Sequence, residues 1–156
     1  MEKIYKKENC DLIVAVGGES PMDCAKAVGI VASYVHSMAP QLGGLYDLPY
    51  GVCNAILLPY VEMYNKEVCP ERFSDISRAM GEKIEGLSPE EAADKAIAAI
   101  KKLASDIGTP SGLKELGVRE EDLELLEENA MQDVCRLTNP REFSKEDVIE
   151  IYRKAM

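Results

Sequence analysis

Apolar positions along this chain follow two rhythms, one continuous and one helical. Residues 11–16 form an unbroken, largely β-branched run between a charged segment and a pair of glycines, which predicts a short buried parallel strand. Gly17 and Gly18 make the turn, Ser20 suits an N-cap, Pro21 the first helical position, and Asp23 the carboxylate three residues past the cap. From Met22 the apolar positions recur through Met38 with only Gly29 interrupting, so one long helix is expected to reach about Ala39, ahead of Pro40. Residues 41–51, with Gly43, Gly44, Pro49 and Gly51, predict a loop. A second apolar helix is expected over residues 52–64, where Pro59 should kink or restart it.

Beyond residue 69 the pattern is amphipathic and helical throughout. Phe73, Ile76 and Met80 fall at spacings of three and four before Gly81, a left-handed stop. Ser88 and Glu91 form a capping-box signature in front of Ala92, Ala96, Ile97, Ile100 and Leu103, and Gly108 with Pro110 ends that helix. Leu123, Leu125 and Leu126 lie on an acidic background over residues 120–130, Asn139 and Pro140 break the chain, and Ser144 caps a last helix through Val148, Ile149, Ile151 and Tyr152. One strand and about six helices result. A lone parallel strand is odd, because its backbone groups need neighbouring strands.

Charge narrows the functional classes. The 156 residues carry 28 acidic and 18 basic side chains, a formal charge of −10, which disfavours nucleic acid and anionic membrane surfaces as partners. No apolar run approaches the roughly 18 residues of a membrane span, and the first eight residues lack the apolar stretch of a signal peptide, so a cytoplasmic protein is expected. Five irregularly spaced cysteines read as reduced thiols, without a metal-ligand pair among them. A catalytic thiolate would need a base, and the only histidine is His36.

Two segments carry a family resemblance. Residues 11–30, with Gly17, Gly18, Glu19, Ser20 and Asp23, resemble the cofactor-phosphate turn of the iron-containing (group III) alcohol dehydrogenases, whose pattern is G-G-G-S-x-x-D. Residues 34–60 resemble that family's metal-binding stretch, H-x-x-x-H-x-L-G-x(6)-H-G, and the helical remainder is similar to its C-terminal domain. The resemblance implies NAD(P) on the glycine turn, where a helix N-terminus and free N–H groups suit a diphosphate, and a divalent iron (Fe2+) held by one Asp and three His. It also implies hydride exchange between NAD(P) and a small primary alcohol or aldehyde, with the metal polarising the substrate oxygen. In the family the two motifs are far apart in sequence, so a join near Ile30 and Val31 is expected, the chain reading as a truncated or internally deleted member.

The retained motifs depart from the pattern at chemically decisive places. Carried over residue by residue, His36 is the candidate metal ligand, Pro40 stands where a further His would be, and Tyr50 where the third metal-binding His would be. One imidazole cannot supply the three or four donors that a catalytic metal requires. Glu19 replaces the third glycine, setting a Cβ and a negative charge beside the phosphates at a cost of about 1 kcal/mol or more. Even so, Gly17, Gly18, Glu19, Ser20 and Asp23 are the cofactor-binding candidates, and no catalytic residue is assigned.

The expected fold is mostly α: residues 1–30 a strand-turn-helix remnant of a Rossmann-like nucleotide domain, residues 31–156 a helical domain of the metal-binding type. An unpaired strand edge is expected to drive homo-oligomerisation. Three functions are weighed. One is the family's alcohol oxidation, lost or weak here; another is a non-catalytic helical interaction module, with the acidic helix Glu120–Glu128 and the alanine-rich helix Ala92–Ala104 as candidate faces; the third is a nucleotide-phosphate binder using Gly17, Gly18 and Ser20 alone.

Overall fold

A computed structural model describes residues 34–156. Six α-helices follow one another: α1 Val35–Tyr46, α2 Tyr50–Asn65, α3 Pro70–Ala79, α4 Pro89–Asp106, α5 Leu123–Gln132 and α6 Lys145–Lys154. Short 3-10 turns occupy Leu113–Leu116, Glu120–Asp122 and Val134–Thr138, and no strand occurs among the described residues. The mostly α expectation holds. The strand-turn-helix unit expected over residues 1–30, with its join near Ile30, lies outside the described residues.

Two expectations about prolines are corrected. Residues 41–46 are not loop: α1 runs through Pro40, Gly43 and Gly44 and ends only at Asp47, which takes a left-handed conformation at φ 55°. Burial overrides propensity here. Val35, Met38, Ala39 and Leu42 are all essentially inaccessible on one face, and filling the core with that face outweighs the roughly 1 kcal/mol that each glycine costs in a helix. Of the kink or restart expected at Pro59, the restart does not occur: α2 is continuous over sixteen residues with the proline buried inside it.

The polar punctuation of the sequence is realised as expected. Ser88 accepts from the Glu91 N–H at 3.2 Å while the Glu91 carboxylate accepts from the Ser88 N–H at 2.8 Å, so α4 opens with a reciprocal box. The same exchange between Ser144 and Asp147 opens α6, at 3.2 and 2.9 Å. Gly81 closes the α3 end at φ 83°.

α1, α2, α5 and α6 enclose the main core, with Met38, Leu42, Cys53, Leu57, Val61, Leu126, Val148 and Tyr152 fully buried. Tyr152 reaches from α6 across this core, its hydroxyl donating to the Met38 carbonyl at 2.9 Å. α3 and α4 pair as a hairpin around a smaller cluster of Phe73, Ile76, Ala93 and Ala96, where alanines let the helices approach closely. Ser77 fastens the pair by donating to the Ala92 carbonyl at 2.6 Å.

The chain end is clamped beneath the Leu113–Leu116 turn. The Leu113 N–H donates to the Ala155 carbonyl at 2.8 Å, and a Cβ on the buried Gly112 would stand 2.8 Å from the Met156 carbonyl oxygen and 2.9 Å from that of Ala155. Backbone cannot yield as a side chain can. Gly112→Ala is expected to destabilise the fold by roughly 1–3 kcal/mol, the overpacking range, read as a lower urea midpoint at unchanged slope. Ala at the exposed Gly44, which meets nothing within 4 Å, serves as the control and should be neutral or mildly stabilising.

Candidate functional site

The site is built where α1 and α2 begin. Tyr34 precedes α1, and its carbonyl accepts from the N–H groups of Ser37 and Met38 at 3.0 and 3.1 Å, so the first turn hangs from this residue. Its ring is held by packing. Tyr34 stacks on Phe143 with centroids 3.8 Å apart, Phe143 stacks on Tyr64 at 4.2 Å, and the Arg141 guanidinium covers the far side of Tyr64 at 3.8 Å. Each layer is also tied at its edge: the Tyr34 hydroxyl donates to Met131 Sδ at 3.1 Å, that of Tyr64 to the Glu142 carbonyl at 2.7 Å, and Arg141 to the Tyr64 carbonyl at 3.1 Å. This column joins α1, α2, α5 and the segment before α6.

His36 stands on the turn so anchored, half-buried, and Tyr50 opens α2 opposite it. The short loop between the helices brings them together: His36 Nδ1 and Tyr50 Oη are 2.5 Å apart, and the two rings lie 6.2 Å between centroids at 27°. Pro40, one turn after His36 on the same helix, is exposed and offers no side-chain donor. Of the residues singled out from the sequence, the structure therefore unites His36 and Tyr50. Gly17, Gly18, Glu19, Ser20 and Asp23 lie outside the described residues.

This donor set does not fit a divalent iron. Among the described residues no three His, Cys, Asp or Glu side chains come together as a metal-binding group, and the chain has a single histidine. A phenol and a proline in place of imidazoles leave one good donor where three or four are needed. Among the described residues the thiols add no reactive centre. Burial pushes the Cys53 thiol up to about 11, and burial raises those of Cys69 and Cys135 as well, the reverse of an activated nucleophile.

Sequence reasoning missed two features. Glu62 is buried in α2 with one carboxylate oxygen unpartnered, and burial pushes its carboxyl up to about 8 against a hydrogen bond from Asn65 that favours the charged form. The signal was present, since Glu62 is the only charged residue in the apolar stretch 52–64. The aromatic column had no such signal, because its members are 30 and 79 residues apart along the chain.

Comparison with known proteins agrees with the helical architecture. The chain belongs to the Fe-containing alcohol dehydrogenase family, whose C-terminal region it matches over residues 27–156. It is 52% identical over 122 residues to the 1,3-propanediol dehydrogenase of Klebsiella pneumoniae, covering 78% of this chain and 32% of that protein. The lactaldehyde reductase of Escherichia coli (strain K12) is 48% identical over 121 residues, with the same coverage of 78% and 32%. A solved alcohol dehydrogenase from Oenococcus oeni superposes with a TM-score of 0.77 at 49% identity, covering 79% of this chain and 32% of that one. The chain thus spans about a third of the length of the curated relatives it matches. No described helix is long and apolar enough to cross a membrane.

Proposed function

We propose that this chain carries the helical domain of an iron-dependent alcohol dehydrogenase without that family's metal chemistry, and acts as a non-catalytic helical module that self-associates. One observation carries the reading: the two ligand positions that the structure unites hold an imidazole and a phenol 2.5 Å apart, not two imidazoles facing a metal. Without a Lewis acid nothing at this site lowers the pKa of an alcohol enough to release hydride. Gly17, Gly18, Ser20 and Asp23 remain the candidate NAD(P) diphosphate turn, with Glu19 repelling the phosphates.

The second reading is the family's own reaction, NAD(P)-linked interconversion of a small primary alcohol or diol with its aldehyde. Its support is the 52% identity to a 1,3-propanediol dehydrogenase. Elemental analysis of the purified chain for iron and zinc, with NAD(P) reduction assayed on 1,3-propanediol and on simple primary alcohols, separates the two. Metal far below one atom per chain and no turnover are expected. Stoichiometric iron with alcohol-dependent NAD(P) reduction would overturn the non-catalytic reading. Light scattering of the same sample is expected to give a homo-oligomer, and a rise in melting temperature with NAD in chelator would show the glycine turn binding nucleotide without metal.

A further inference from the structure

His36 and Tyr50 occupy positions that, by the family pattern, both serve one metal ion, so the helices carrying them are placed for their first turns to be bridged. The bridge seen here is direct. Two donor atoms sharing a metal at about 2.0–2.1 Å from each stand roughly 3.3 Å apart in a tetrahedral arrangement. At 2.5 Å, His36 Nδ1 and Tyr50 Oη are too close for that and are at a short hydrogen-bonding distance instead.

We propose that the Tyr50–His36 hydrogen bond replaces a metal ion as the link between α1 and α2, closing this helix pair independently of divalent cations. The inference rests on the reading that the chain lacks iron chemistry, and adds what took the metal's structural place. The phenol donates its rotatable hydrogen and His36 Nδ1 accepts, which fixes the neutral imidazole as its Nε2–H tautomer. Its position is set from both sides. Tyr34 holds the α1 turn through the aromatic column, and Pro49 in an extended conformation delivers Tyr50 as the first residue of α2. The flanking Val35 and Met38 are buried, so the pair sits at the edge of the main core, where a partner for Nδ1 matters more than in open water.

Three measurements on the whole chain test this. In 15N NMR at neutral pH, His36 of the unaltered protein should show an unprotonated Nδ1 and a protonated Nε2, and its melting temperature should not change with equimolar zinc or ferrous iron. Tyr50→Phe keeps the ring and removes the hydroxyl; the melting temperature should fall by about 2–4 °C and the His36 nitrogens should move toward a tautomer mixture. A protonated Nδ1 in the unaltered protein, or unchanged nitrogen signals in Tyr50→Phe, would refute the link, and the first needs no variant to fold. A zinc- or iron-dependent rise in the unaltered protein would also refute it. Turnover with bound iron is a separate result, which defeats the functional reading whatever the nitrogens show.

Discussion

Phe143→Ala is expected to lower the melting temperature by on the order of 10 °C. Truncating a buried phenylalanine removes its transfer free energy and leaves a cavity, together about 3–5 kcal/mol. Phe143 is 9% exposed and is the middle layer of the column, with Tyr34 on one face and Tyr64 on the other, so both stacks are lost at once. Neither neighbour can follow it inward. The Tyr34 hydroxyl is engaged with Met131 Sδ and that of Tyr64 with the Glu142 carbonyl, which resists collapse of the cavity. Calorimetry on Phe143→Ala and Phe143→Leu checks this, since Leu refills most of the volume but restores no ring contact. A loss in Leu equal to that in Ala would assign the effect to stacking. A loss near zero in both would show that the column does not hold the first turn of α1.

Glu62 should make stability fall as pH rises through neutrality. Its carboxyl is raised by burial to about 8 in the folded chain against an ordinary 4.5, so the folded state holds a proton that the unfolded state has already released. Below pH 4.5 both states are protonated and no penalty exists. Between about 4.5 and 8 the folded state binds more protons than the unfolded one, and stability declines by roughly 1.4 kcal/mol per pH unit from this group, on the order of 3 kcal/mol by pH 7. Above 8 both are ionised and the penalty is constant. Glu62→Met, similar in volume and without charge, should therefore stabilise the protein, and by clearly more at pH 8 than at pH 5. Urea titrations of both proteins at the two values decide it; an equal gain at each pH would mean that Glu62 is not held protonated in the folded state.

The helical modules were legible in the sequence because their signals are local. A Ser followed three residues later by Glu or Asp and a glycine at a helix end work through groups within one turn of each other, so α4 and α6 start at the predicted caps and α3 closes at Gly81. Local signals were also where the reading failed. Pro40, Gly43 and Gly44 argued for a loop, yet α1 passes through all three, because the partners that make its Met38 and Leu42 face worth burying lie on α2, α5 and α6. Propensity offers about a kilocalorie per residue against helix, and burial of several large side chains offers more.

At the candidate site the division is similar. Residue identities alone show which donors stand at these places: one histidine, a proline and a tyrosine where the family pattern has three histidines. What those residues do with one another depends on how the helices pack. That packing set Tyr50 Oη against His36 Nδ1, enclosed Glu62 away from water, and threaded Tyr34, Phe143, Tyr64 and Arg141 into one column. Composition and spacing fix the chemistry that a chain has available, while contacts between residues dozens of positions apart arise from the shared need to fill one core, and so appear only once the helices are packed.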